Sequence, residues 1–180
     1  MENNDINDLI EKAKQEFQKG NFKAAIQGFE NALETYQAEG KELDAAEMAN
    51  NLSVALLKNK KNKKALEVVL GTDITFEQHS EITKQAMALG NQAAAYEALK
   101  QFEQAEEAYR KSAELLKKTG EEELRGYVLQ SLSTLQLRQG KNLDGLLSMK
   151  TGLDDQEKLP LRKRFLRWLL KIPFKFLGSK

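Results

Sequence analysis

Apolar residues recur along most of this chain at spacings of three and four, the period of one face of an α-helix and not the alternation of a strand. Phe17, Phe22, Phe29 and Leu33 mark one such stretch, and Tyr96, Phe102, Tyr109 and Leu116 mark another. Short polar breaks interrupt the pattern at Lys19-Gly20-Asn21, Lys60-Lys61-Asn62, Lys100-Gln101 and Gly140-Lys141-Asn142. Each break separates a first helix from a second. Both prolines, Pro160 and Pro173, lie beyond residue 159, so no proline interrupts a helix before that point.

The pattern repeats in register at forty residues. Leu9, Ala49, Leu89 and Leu129 align, as do Ala13, Ser53, Ala93 and Ser133, and then Gly20, Lys60, Lys100 and Gly140. Ala25, Ala65, Ala105 and Gly145 form a fourth column, and Phe29, Val69, Tyr109 and Met149 a fifth. The small residues belong where two helices cross most closely, because they let helix axes approach toward the short end of the usual ~8–10 Å. Gly145 stands where the other copies have Ala and costs its helix about 0.5–1 kcal/mol, so an irregular last hairpin is expected. Gly71–Glu77, GTDITFE, reads as a loop that cuts short the second helix of the second copy.

The stretch Lys12–Leu33, KAKQEFQKGNFKAAIQGFENAL, resembles the tetratricopeptide repeat signature, and Ala88–Gly120 looks like its longer, forty-residue variety. The resemblance covers roughly residues 6–153, strongly in copies one and three and weakly in two and four, where Asn62 replaces an aromatic. It implies an all-α, right-handed α-solenoid with repeats at about 6–40, 41–78, 79–120 and 121–153, after a flexible N-terminus at 1–5 and before a linker and helix at 154–180. It also implies a concave groove floored by the first helices. The floor would be Asn7, Ile10, Glu11 and Lys14; Glu47, Asn50, Asn51 and Val54; Met87, Gly90, Asn91 and Ala94; and Tyr127, Gln130, Ser131 and Thr134. Asn51 and Asn91 share a register at which peptide-binding members of the family use asparagine on the ligand backbone. A carboxamide donates and accepts, so it can pair with any peptide unit. Two readings stand: a peptide grip, or bridges between adjacent helices. Glu11 and Ser131 replace Asn in the outer copies. The family's clamp for a C-terminal carboxylate is matched only by Asn51, since Ile10, Lys14, Met87 and Asn91 occupy its other positions.

Composition narrows the chemistry. The chain has no cysteine, so disulfides, thiol catalysis and cysteine-ligated zinc are excluded. Its single histidine, His79, is placed by the pattern near a helix start, without a partner that could orient it as a general base. An enzyme is not expected, nor a metal or cofactor. The start, MENNDINDLI, lacks the basic and apolar regions of a signal peptide, so a soluble cytoplasmic protein is expected. The lysine run Lys58–Lys64 reads as a solvated turn or as a patch for an acidic partner.

The near-neutral net charge of +1 hides an asymmetry. Residues 159–180 hold seven of the 28 basic residues and none of the 27 acidic ones, leaving the remainder at −6. An acidic body is a poor match for nucleic acid. In the tail, Leu161, Phe165, Trp168, Leu169 and Ile172 share one helical face, which Leu166 and Leu170 extend. Lys163, Arg164, Arg167 and Lys171 take the opposite side, Arg162 breaks the pattern, Pro160 suits the helix start and Pro173 an end or kink. Three readings follow: a cap on the last hairpin, an interfacial helix on an anionic membrane, or insertion into a groove. Under the second, the protein is peripheral at the inner membrane surface. The leading functional expectation is an adaptor holding a peptide or partner protein in its groove, with a membrane-anchored scaffold as the alternative.

Overall fold

Every twenty residues the backbone passes through the left-handed region: at Gly20, Gly40, Lys60, Ser80, Lys100, Gly120 and Gly140, with φ between 59° and 83°. At each turn the amide of the following residue donates to the carbonyl five positions earlier, as from Asn21 to Glu16 at 2.8 Å and from Lys141 to Gln136 at 2.9 Å. This is the six-to-one bond that satisfies orphaned carbonyls at a helix end. The residue after the left-handed one has φ near −80 to −90° and ψ near 55 to 75°, an inverse γ-turn that starts the next helix.

The computed structural model describes residues 3–156 and 159–177, and these form helices with no strand among them. In order they are α1 (Asn3–Gln18), α2 (Phe22–Ala38), α3 (Glu42–Lys58), α4 (Asn62–Val69), α5 (Thr72–Gln78), α6 (Ile82–Ala98), α7 (Phe102–Thr119), α8 (Glu122–Arg138), α9 (Asn142–Asp154) and α10 (Leu161–Leu177). From α1 to α4, and again from α5 to α10, each helix packs on the next; α4 and α5 both lean on α3 and α6. α1 begins at Asn3, within the segment expected to be a flexible N-terminus.

The small residues of the columns are packed inside. Ala13, Ala25, Ala65, Ala93 and Ala105 are buried. In the second and fourth copies of the forty-residue register a serine takes the place of alanine and hydrogen-bonds across the crossing. Ser53 Oγ donates to the Ala65 carbonyl at 2.8 Å, and Ser133 Oγ to the Gly145 carbonyl at 2.7 Å. A hydroxyl buried there is tolerated because it is paired.

Three local expectations are corrected. Gly71–Glu77 is not a loop: only Leu70, in extended geometry, and Gly71, at φ 84°, break the helix, and α5 resumes at Thr72. Burying Phe76 against Ala46 and Ala88 stabilises that helix. The last hairpin is regular, with α9 running unbroken through Gly145. A Cβ there would lie 2.7 Å from Leu137 Cγ, so glycine is what lets α8 approach α9. The tail helix does not end at Pro173, one of the two outcomes expected there: α10 runs on to Leu177.

α7, α8 and α9 are tied by one polar network. Gln136, fully buried, donates to Glu106 Oε1 at 2.9 Å and accepts from Ser148 Oγ at 2.8 Å. Lys141 Nζ and Arg110 Nη2 reach the same Glu106 carboxylate at 2.6 and 2.7 Å. Burial pushes the Glu106 carboxyl up, but these hydrogen bonds outweigh it and bring its pKa down to about 2.

Two outcomes follow. Gly28 faces Ala13, and a Cβ added to it would lie 2.6 Å from Ala13 Cβ. Gly28→Ala is expected to destabilise by about 1–2 kcal/mol despite its better helix propensity, and Ala13→Gly to relieve that clash, with coupling of similar size in a double-mutant cycle. Glu106 binds its proton more weakly folded than unfolded, so its contribution is complete above its ordinary pKa of 4.5 and disappears as pH falls toward 2. Denaturation measured across that window should show a shallower acid loss in Glu106→Gln than in the parent.

Candidate peptide-binding face

α3 and α6 lie side by side, and polar contacts between them define the centre of the face. Lys84 of α6 pairs with Glu47 of α3. Asn91 Nδ2 donates to Asn50 Oδ1 at 3.0 Å. Asn50 in turn donates to the Ala46 carbonyl at 2.9 Å and to Thr72 Oγ1 at 3.0 Å, and Thr72 donates to the Val69 carbonyl at 2.8 Å. The chain of bonds therefore runs from α6 through α3 to the break between α4 and α5. Gln92 completes it, donating to Asp73 Oδ1 at 2.6 Å and to the Val69 carbonyl at 3.3 Å.

This geometry sorts the residues read from the sequence. Asn50 is buried and committed to holding the α4–α5 joint, and Ile10 is buried in the core with Ile6, so neither faces a ligand. Asn91 is half-buried and gives one amide hydrogen to Asn50; among the described residues its oxygen and other hydrogen have no partner. Asn51 is half-buried, with no side-chain hydrogen bond among the described residues. It lines a cavity of about 200 Å³ with Lys14, Phe17, Gln18, Phe29 and Val54, where α1, α2 and α3 meet. Met87 and Tyr127, forty residues apart on α6 and α8, are both exposed. The Tyr127 hydroxyl donates to Glu123 at 3.3 Å. Gln130 is exposed at the middle of α8, beside a small cavity of about 80 Å³ shared with α9 and α10. Ser131 and Thr134 donate back to the carbonyls of Tyr127 and Gln130 on their own helix.

Sequence reasoning overlooked Thr72 and Lys84. Thr72 falls in the segment read as a loop, and Lys84 matters only through Glu47, which no periodicity joins to it. His79 ends α5 instead of starting a helix; it is exposed, with Nδ1 2.8 Å from the Thr75 carbonyl. The lysines of the 58–64 run are exposed around the α3–α4 turn, while Asn62 Nδ2 donates to the Ala98 carbonyl at 3.1 Å. No group of acidic and histidine side chains among the described residues could hold a metal ion. Of the tail residues, Arg164, Phe165, Trp168 and Leu169 are exposed and Arg167 is half-buried; Lys171 and Ile172 lie outside the described side chains.

The cationic residues of the face are already engaged. Lys14 pairs with Glu11 at 2.7 Å, and Lys84 with Glu47. What the face offers a ligand is carboxamide and apolar surface. Searches with family models and among curated proteins find no match to this chain.

The two asparagines of the bridge are expected to differ in cost. Asn50→Ala leaves Thr72 and Asn91 without their shared partner inside the protein, so a loss of about 1–3 kcal/mol is expected; Asn91→Ala removes one half-buried donor, for about 0.5–1.5 kcal/mol. Urea denaturation of the two variants measures the order.

Proposed function

We propose that the chain is a tetratricopeptide-type α-solenoid scaffold that holds an extended segment of another protein across α3, α6 and α8. The observation that carries this reading is that Met87 and Tyr127 are exposed in one register on α6 and α8, while Asn91, one turn on from Met87, keeps carboxamide groups free and Asn51 on α3 makes no side-chain hydrogen bond among the described residues. An exposed methionine and tyrosine supply the adaptable and rigid apolar contacts of a binding surface. The carboxamides supply sequence-independent hydrogen bonds to a peptide backbone. The left-handed turn at every twentieth residue and the Ser53–Ala65 and Ser133–Gly145 bonds support the repeat assignment. The pairing of Lys14 and Lys84 with glutamates favours an internal segment over a terminal carboxylate as the ligand. In this reading the protein is an adaptor and carries out no chemistry.

A displayed library of random peptides panned against the full chain tests it. Selected peptides are expected to lose about tenfold or more in affinity to a variant carrying Asn51→Ala and Tyr127→Ala, with the helical circular dichroism unchanged. Glu107→Ala, at an exposed site on α7, should leave binding intact. Undiminished binding to the folded double variant would overturn the proposal.

A further inference from the structure

α10 presents two different stripes. The first faces the protein: Leu170 is buried, Leu166 is half-buried beside Met149 and Leu153, and Arg167 Nη1 donates to the carbonyls of Leu153 and Gln156 at 3.4 and 3.3 Å. The second faces outward. Leu161, Phe165, Trp168 and Leu169 keep 79, 62, 58 and 44% of their surface exposed, and the Phe165 and Trp168 rings lie 5.7 Å apart as one aromatic patch. At 100° per residue the exposed Arg162 and Arg164 fall on the two flanks of this stripe. Among the described side chains of α10, docking on α9 therefore covers Leu166 and Leu170 and leaves Leu161, Phe165, Trp168 and Leu169 bare.

We infer that this outer stripe seats on the surface of an anionic lipid bilayer. Three features on the helix converge on that occupant. Leucine, phenylalanine and tryptophan on one face, bordered by arginines, match the depth profile of an interface: the apolar rings sit among acyl chains while the guanidinium groups reach the phosphates. The seven positive charges of residues 159–180, with no acidic residue among them, meet the extended negative field of such a surface. No helix among the described residues is long and apolar enough to cross a membrane, so α10 lies on the bilayer. A second copy fits less well, because pairing two outer stripes brings two tails of +7 together. Since Leu166, Arg167 and Leu170 fasten the helix to α9, binding would fix the orientation of the whole protein on the membrane. This inference stands apart from the peptide-binding proposal.

Vesicles test it, with the full chain and its single tryptophan, Trp168, as reporter. With phosphatidylglycerol mixed into phosphatidylcholine, Trp168 emission is expected to shift to the blue and the protein to sediment with the vesicles, progressively less as salt rises. Pure phosphatidylcholine should bind about tenfold less or weaker still. Leu161→Ser with Phe165→Ser keeps every positive charge and alters only exposed positions; it should reduce binding at least about tenfold while the melting temperature holds. If that pair lowers the melting temperature, Phe165→Ser alone gives the same readout. The inference fails if anionic vesicles leave Trp168 unmoved, or if the serine variants bind them as well as the parent. It also fails if Trp168 is buried in buffer by a concentration-dependent dimer that ignores lipid.

Discussion

Two helices can approach closely only where both leave room, and the rest of this fold depends on how that room is made. At the α1–α2 crossing Ala13 meets Gly28, and the missing Cβ of the glycine is what the contact requires. At α8–α9 the same role falls to Gly145, which lets Leu137 pack over its backbone. The α3–α4 and α8–α9 crossings add a hydroxyl whose single acceptor is the facing carbonyl. With each pair locked at short distance, its remaining apolar residues turn outward toward the next pair. The core thus forms as separate clusters along the chain, one around Phe29, Leu52 and Leu56 and another around Tyr109, Leu132 and Leu135.

Much of this was legible from residue type, because small residues at crossings and large ones between them recur at forty. The turns were legible only in part. Glycine at 20, 40, 120 and 140 announces a left-handed backbone, whereas Lys60, Ser80 and Lys100 adopt the same geometry without a composition that favours it. Their positions are recoverable from the register alone. Those side chains accept some backbone strain, and the helix-end hydrogen bonds on either side hold them there. The stretch Gly71–Glu77 misled for the opposite reason: its Gly, Thr and Asp look like loop residues, yet burial of Thr72 and Phe76 decides for helix.

The candidate face was readable to the level of the helix but not of the side chain. Asn50 and Asn51 are neighbours in sequence, and a turn of about 100° sends one into the core and leaves the other near solvent. Which of two adjacent asparagines supports and which is available depends on Thr72, a partner 22 residues away in sequence. The tail shows the same limit. Its apolar residues form a single broad face by sequence, and only the docking of Leu166 and Leu170 divides that face into a covered and an uncovered half.

The break at Leu70 and Gly71 has a consequence for how the molecule comes apart. α4 and α5 have 8 and 7 residues, below the ~12–15 at which a helix is even marginal alone, so neither persists without neighbours. What holds the two together is the run of bonds from Asn91 through Asn50 to Thr72 and the Val69 carbonyl, with Gln92 donating directly to Asp73 and to that same carbonyl. α3 and α6 therefore share responsibility for one joint, and loosening either releases it. The middle of the chain is therefore a keystone: its shortest helices stay folded only while the helices on both sides of them do.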